Sequence, residues 1–418
     1  MTRVVFWVSY YRQTVQPTRL EDKKERERLM KKSEDILERQ VNRRSFLKQG
    51  AITAGAATVG VGLLSHGLAA FGQEPNAGGS PTKGDIAILR YLAAIELIES
   101  DLWLQYQELG GVQDNEVSTL ASQLIPGYPA QPTGGSGPYM QALLPLDGDM
   151  SQYIHDNTED ELTHEVFINK YLTSKGAESV SLDRFRTLPS SKATGANQVG
   201  RITNLTQLTV DTSWWTRYRS RTGNPDFGDT FPQAIPTLAV GRHTAIPRTD
   251  NDLNNPDFLQ AIANTAGFHF AYIEQGGASL YPQLAQRVSS VEVLRILLSI
   301  GGTEITHFQT WHDKAGNAPP LTDVVDPVTH VKVTFPNLNA PPFGGEDFQT
   351  NLIMPEPTVF LSKQLPAVSI IRPTATEGAA LATLKSFILD GLFIGQSHEF
   401  LQFVGDLARD ADQAQREG

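Results

Sequence analysis

Glu161-Leu162-Thr163-His164 and Glu304-Ile305-Thr306-His307 are two copies of one short pattern, a Glu followed three residues later by a His, in two separate stretches of helical periodicity. Residues three apart on a helix share a face, with Cβ atoms about 5–6 Å apart, so each pair can reach a common point. The neighbours show where that face turns. Ile154, Glu161, His164, Ile168 and Tyr171 fall on one stripe, and so do Leu297, Ile300, Glu304, His307 and Trp311. Both polar pairs therefore sit in apolar seams, which pack inward.

Two further helical stretches carry single carboxylates. Phe270, Glu274, Gly277, Tyr281, Leu284 and Val288 form one seam with Glu274 inside it, and the run from Leu89 to Glu99 holds Glu96 and Glu99. Any one of these fragments alone is an ordinary solvated helix face. Together they are not, because a buried carboxylate without a partner is costly. Four of them with two His, converging in one core, call for two divalent cations. The order Glu, Glu-x-x-His, Glu, Glu-x-x-His along the chain is the ligand order of di-iron and di-manganese carboxylate helix bundles.

The four stretches predict long helices over Asp85–Leu109, Asp149–Ser174, Pro256–Val288 and Ser290–Asp313. A 40-residue connection separates the first two, with a short helix expected at Glu116–Leu124. About 80 residues rich in Pro, Gly, Thr and Asn, roughly 175–255, separate the second from the third; loops of that length are functional or packed. Ala318–Pro373 reads as irregular apart from a strand-like Val328–Phe335, and two more helices are expected at Thr376–Leu392 and Gln396–Gln413. No tandem repeat is present.

Composition narrows the chemistry. The 418 residues carry a formal charge of −11, and residues 1–72 alone have 13 basic and 7 acidic side chains, which leaves the remainder at −17. So acidic a body repels phosphate backbones, and nucleic acid is not an expected partner. With no Cys, disulfides, thiolate catalysis and cysteine-held metal centres are excluded. Any metal must be held by His and carboxylates.

The basic N-terminal segment reads as an address. Asn42-Arg43-Arg44-Ser45-Phe46-Leu47-Lys48 precedes a weakly apolar run from Gly50 to Leu64 and small residues at Ala69-Ala70-Phe71-Gly72. This is the pattern of a twin-arginine signal peptide with a cut near Gly72–Gln73. The apolar run, broken by Gly55, Gly60 and Gly62, is short against the roughly 20 residues that span a bilayer. The 41 residues ahead of Asn42 are long for such a signal, and a start at Met30 would leave a normal basic region. The expectation is an exported, periplasmic or extracellular protein that passes through the twin-arginine translocase already folded.

These features resemble exported ferritin-like domain proteins, the group that includes the desiccation-related ferritin-like proteins. Asp85-Ile86-Ala87-Ile88-Leu89 and Ile95-Glu96-Leu97-Ile98-Glu99-Ser100-Asp101-Leu102-Trp103 are similar to that group's first helix. Glu161–Phe167, Glu274–Tyr281 and Glu304–His307 are similar to its second, third and fourth. The resemblance covers roughly residues 85–175 and 256–314. It implies an all-α, ferritin-like four-helix bundle over 85–314, with a long crossover because the second and third helices run parallel. Residues 315–418 would be an irregular segment plus two extra C-terminal helices. It further implies two metal ions, iron or manganese, held by Glu96, Glu161, His164, Glu274, Glu304 and His307. Glu161 and Glu304 would bridge or flank them, and the centre would react with O2 or peroxide in an oxidative-stress or other redox role. On the first helix the resemblance selects Glu96. Internal symmetry favours Glu99, because Glu99 and Tyr106 repeat the spacing of Glu274 and Tyr281. Glu96 is taken as the ligand and Glu99 as a supporting or substitute group. The alternatives are a manganese catalase, or a non-catalytic stress or desiccation-related binding protein on the same scaffold.

Other polar residues carry less. His155 and Glu165 lie on other faces of the second helix, and Glu159-Asp160 reads as its solvated side. His269 reads as a satisfied histidine beside the third seam, while His312, His330 and His398 lack companions at metal spacing. Trp214-Trp215-Thr216-Arg217-Tyr218-Arg219-Ser220-Arg221 alternates aromatic and basic residues as single-strand binders do. On an acidic body, packing of the long connection against the helices is the expected use.

Overall fold

A computed structural model describes residues 80–219, 229–342 and 378–417, with short stretches at 356–358, 361–362, 364–366 and 368–370. The expected signal segment, with Arg43, Arg44, the cut near Gly72 and the start at Met30, lies outside the described residues.

The described chain is mostly helical, as an all-α class requires. Its four long helices are α1 (Lys83–Gly110), α4 (Met150–Ser174), α6 (Pro256–Ala285) and α7 (Val291–Ala315); α2 (Glu116–Leu124) and α3 (Gly137–Leu143) lie between the first two. α1 packs along α4, and α6 along α7. The start of α1 lies two residues earlier than the apolar period suggests because a capping box sets it. Thr82 Oγ1 accepts from the Asp85 backbone N–H at 3.1 Å and Asp85 Oδ2 accepts from Thr82 N–H at 2.9 Å. Asp85 also accepts from Ser289 and Ser290 N–H at 2.8 and 3.1 Å, which pins the head of α1 to the α6–α7 turn. Asn255 caps α6 with Pro256 in its first turn, and Ser290 caps α7.

The described residues of 175–255 contain α5 (Ser213–Arg219), two short 3-10 turns and two isolated bridges, Leu188 with Arg201 and Leu208 with His243. They pack inward. Leu205, Leu208, Val210, Trp215, Ile235 and Leu238 are fully buried. The expected packing role of the aromatic run holds for its described part, where Trp214 and Trp215 contact Phe268 and His312. Ser220 and Arg221 lie outside the described residues.

Two findings depart from the sequence reading. α3 and α5 fall where no helix is expected, since seven residues hold less than two full periods. The segment read as irregular contains two antiparallel pairs: β1 (Leu321–Val325) with β2 (Lys332–Phe335), and β3 (Glu356–Thr358) with β4 (Val368–Ile370). The expected strand at Val328–Phe335 is shorter than its apolar alternation, because its first residues form the hairpin turn, with His330 at φ 59°. α8 (Ala379–Asp390) and α9 (His398–Gln413) follow; α9 lies against α1 and α8 against α6. Among the described residues no helix is long and apolar enough to cross a membrane.

Candidate metal centre

All six residues expected as ligands come together between α1, α4, α6 and α7. Two groups form, Glu96, Glu161, His164 and Glu304, and Glu161, Glu274, Glu304 and His307; the donor atoms in each lie within 4.8 Å of one another. Glu161 and Glu304 belong to both. His164 Nδ1 stands 3.4 Å from Glu96 Oε2, 3.2 Å from Glu161 Oε2 and 3.5 Å from Glu304 Oε1. His307 Nδ1 stands 3.1 Å from Glu161 Oε1 and 3.3 Å from Glu274 Oε2. The four carboxylates are buried, and the two imidazoles keep a narrow exposed edge, 12% and 10% of their side chains. Access to the cluster therefore runs past the histidines.

Surrounding side chains aim these groups. Asn157, one turn before Glu161, donates to Glu161 Oε1 at 2.8 Å and to Glu274 Oε1 at 3.0 Å, and its own oxygen accepts from Trp311 Nε1 at 2.6 Å. Tyr281 donates its hydroxyl to Glu96 Oε1. His307 Nε2 is 3.0 Å from Asp160 Oδ2. A carboxylate can only accept, so Nε2 carries the proton and the Nδ1 lone pair of a neutral ring faces inward. Two glycines allow the close approach. A Cβ on Gly277 would lie 2.4 Å from Glu304 Oε2, and one on Gly301 would lie 2.7 Å from Tyr281 Cβ.

Glu96 Oε2, Glu274 Oε2, both Glu304 oxygens and His307 Nδ1 are buried and receive no hydrogen bond from the described residues. Their charge state points the same way. Burial pushes Glu304 well above its ordinary value, and Glu161, Glu274 and Glu96 add repulsion. Glu96 is pushed up to about 7 by burial against the pull of His164. Burial acts on Glu161 too, but the hydrogen bond from His164 and the closeness of both imidazoles hold its carboxyl below the ordinary range. Both imidazoles are raised although burial opposes it, chiefly by Glu96 for His164 and by Glu274 for His307. Without a cation the cluster keeps protons where a metal would sit, so cations entering it displace those protons. These buried carboxylate and imidazole groups could hold metal ions.

Glu99 is buried beside the cluster, raised by burial and then by Glu304, but belongs to neither donor group. One sequence-based placement needs correction, and two residues placed on other faces of the helix prove to be buried there. Asp160 is half exposed yet orients His307 rather than serving only as solvated surface. Glu165 is buried, because the long connection brings Arg186 over that face, and its carboxyl is pushed up to about 7 mainly by burial. His155 is also buried and bonds Asp114 and Asp156, each at 3.1 Å. It forms a third acidic group with Asp114 and Glu116, whose imidazole is already satisfied. Asn157 went unread, although its place one turn before Glu161 on the same face was the available signal. His269 is a satisfied core histidine, bonded to Tyr106 and Asp390.

Comparison with family models, with curated proteins and with solved structures returns no match for this chain. The chemistry of the site rests on its own geometry.

Proposed function

We propose that this chain is an exported ferritin-like protein whose α1, α4, α6 and α7 form a four-helix bundle around a di-metal carboxylate centre that reacts with O2 or peroxide. One observation carries the reading: two donor groups, each with its own histidine and its own carboxylate, share Glu161 and Glu304. A single cation would leave one imidazole nitrogen without a partner and one carboxylate without a counter-charge, whereas a pair of cations would use every donor. Oxygen and nitrogen donors without thiolate suit iron or manganese. When bound, such a pair supplies one-electron and peroxide chemistry.

The chain's own residues do the rest. Glu161 and Glu304 would serve both positions, Glu96 with His164 would complete one and Glu274 with His307 the other. Asn157 keeps Glu161 and Glu274 in one orientation, as Tyr281 does Glu96 and Asp160 does His307. The apolar seams hold bulk water away and leave the histidine edge as the entry for a small oxidant.

Elemental analysis of protein recovered from its own export compartment tests the reading. The expected result is two iron or manganese ions per chain, and metal-free protein would refute it. Peroxide turnover by the manganese form would favour a catalase, and oxygen uptake by the ferrous form a ferroxidase. Replacing Arg43 and Arg44 by Lys keeps the charge but loses the planar guanidinium fork, and the unprocessed chain should then accumulate in the cytoplasm.

A further inference from the structure

A continuous file of buried aromatic side chains leads away from the ligand cluster. It starts at Asn157, which bonds both Glu161 and Glu274 and accepts from the Trp311 indole at 2.6 Å. The Trp311 ring stacks on Trp103 with centroids 5.3 Å apart and an interplanar angle of 25°. Trp103 is in turn 5.7 Å from Tyr106. Phe270 closes the side of the file, 5.0 Å from Trp103 and 4.5 Å from Tyr106. At the far end Tyr106 OH lies 2.7 Å from His269 Nδ1, and His269 Nε2 lies 3.1 Å from Asp390 Oδ2. All of these groups are at most 3% exposed.

The ends of the file differ in what they can do with a proton. The Trp103 indole N–H meets no acceptor among the described residues, and that of Trp311 meets only a neutral amide oxygen. An indole oxidised in either place keeps its proton and passes the electron deficiency on. Tyr106 faces an imidazole nitrogen whose ring is held from behind by a carboxylate, so its hydroxyl proton has a base waiting at hydrogen-bond distance.

From this geometry we infer that Tyr106 is a one-electron donor to the metal centre, reached through Trp311 and Trp103, with His269 as its proton acceptor. The inference rests on the di-metal reading above. In the step, one electron passes from Tyr106 along Trp103 and Trp311 to the metal pair after its oxidation by peroxide or O2, and the pair is reduced by one electron. The O–H bond of Tyr106 breaks, and an N–H bond forms at His269 Nδ1. The products are a neutral tyrosyl radical and an imidazolium that faces Asp390. The relay drains oxidising equivalents from the centre into a shielded site when no external reductant is present.

The test uses the full chain, its bound metal first counted by elemental analysis, then mixed with hydrogen peroxide and freeze-quenched for electron paramagnetic resonance. A tyrosyl radical is expected, carrying a coupling to one exchangeable proton that disappears in D2O. Tyr106→Phe, which removes a single hydroxyl, should abolish it. Trp103→Phe should slow its formation at least tenfold, and both variants should keep two metals. Two bound metals with no radical would overturn the inference and leave the di-metal reading standing. So would a radical that survives Tyr106→Phe, one on Tyr281, or one without the exchangeable coupling. Failure to bind metal would refute the di-metal reading instead. In that event photo-oxidation of the metal-free chain by a ruthenium trisbipyridyl complex with persulfate decides for Tyr106: a persistent radical lost in Tyr106→Phe supports it as the buried donor, and its absence overturns it.

Discussion

Helix α1 buries four carboxylates in its middle and C-terminal half and treats them in two ways. Asp101 accepts from Ile202 N–H at 3.0 Å, Thr203 N–H at 2.9 Å, Thr203 Oγ1 at 2.7 Å and Arg186 Nη1 at 2.7 Å. Glu108 receives Arg201 on both oxygens, at 2.6 and 2.5 Å, and Asn197 N–H at 2.8 Å. Glu96, five residues before Asp101, has one tyrosine hydroxyl on one oxygen and no donor on the other. Glu99 sits beside it among four other carboxylates. The first kind of burial is compensated by fixed donors from the long connection, and its purpose is to dock that connection. The second kind is left under-compensated by the chain, and such a site is stable only with protons or cations in it.

That contrast can be broken by experiment. The largest effect is expected from His164→Ala combined with His307→Ala, which removes the nitrogen donor of each group: metal content should fall from two per chain to none, with the fold retained by circular dichroism. Unchanged metal content would remove the distinction between the two kinds of carboxylate.

Arg201→Ala should act on stability and not on metal. It strands Glu108 as a buried charge, so a loss of about 3–5 kcal/mol is expected in urea unfolding, with two metals still bound to the folded protein. A loss of metal in step with stability would mean that the two regions are coupled.

Glu165 gives an intermediate case with a defined pH dependence. Its carboxyl is pushed from 4.5 up to about 7 by burial, with Arg186 opposing. Between these values the folded chain holds a proton that the unfolded chain has lost, so stability falls as pH rises through this window and levels off above it. At about 1.4 kcal/mol per unit, the penalty at pH 8 is about 3 kcal/mol. With metal bound, so that Glu96 does not titrate in the same window, Glu165→Gln should recover much of it and reduce the slope of stability against pH between 4.5 and 7; a variant with the parent's slope would show that another group titrates there.

The smallest contrast is the sharpest. Glu96→Gln should weaken metal binding at least tenfold more than Glu99→Gln, about 1.4 kcal/mol by calorimetry, because Glu96 shares a donor group with His164 and Glu99 does not. The opposite ranking would restore the symmetry argument from the Tyr106 and Tyr281 spacings.

Much of this was legible in one dimension. The four long helices and α2 lie where apolar period, Pro256 and the Ser290 cap put them, since those signals are local and extend over several turns. Five of the six groups were legible for a related reason: charged residues inside apolar stripes need a partner, and the Glu-x-x-His spacing points to it; Glu96 and Glu99 stayed in competition. The role of Asp160 was misread and the burial of Glu165 went unread because helical periodicity reports one preferred face, whereas α1 and α4 are covered on further faces by a connection with little periodicity of its own. From Tyr91 to Gly110 every residue of α1 is buried, which no amphipathic pattern announces.

The sequence by itself determined the helical class, the positions of the long helices and five of the six converging groups, Glu161, His164, Glu274, Glu304 and His307, because each follows from spacing along a single helix. Only the tertiary structure decided that Glu161 and Glu304 are shared between two groups, that Glu96 rather than Glu99 stands with His164, and that Asp101 and Glu108 are spoken for by Arg186 and Arg201. These depend on which helices lie side by side and on where some 80 residues of connection fold back. Contacts between residues 50 to 200 positions apart are selected by the burial and charge balance of the whole core, and spacing along one helix carries no record of them.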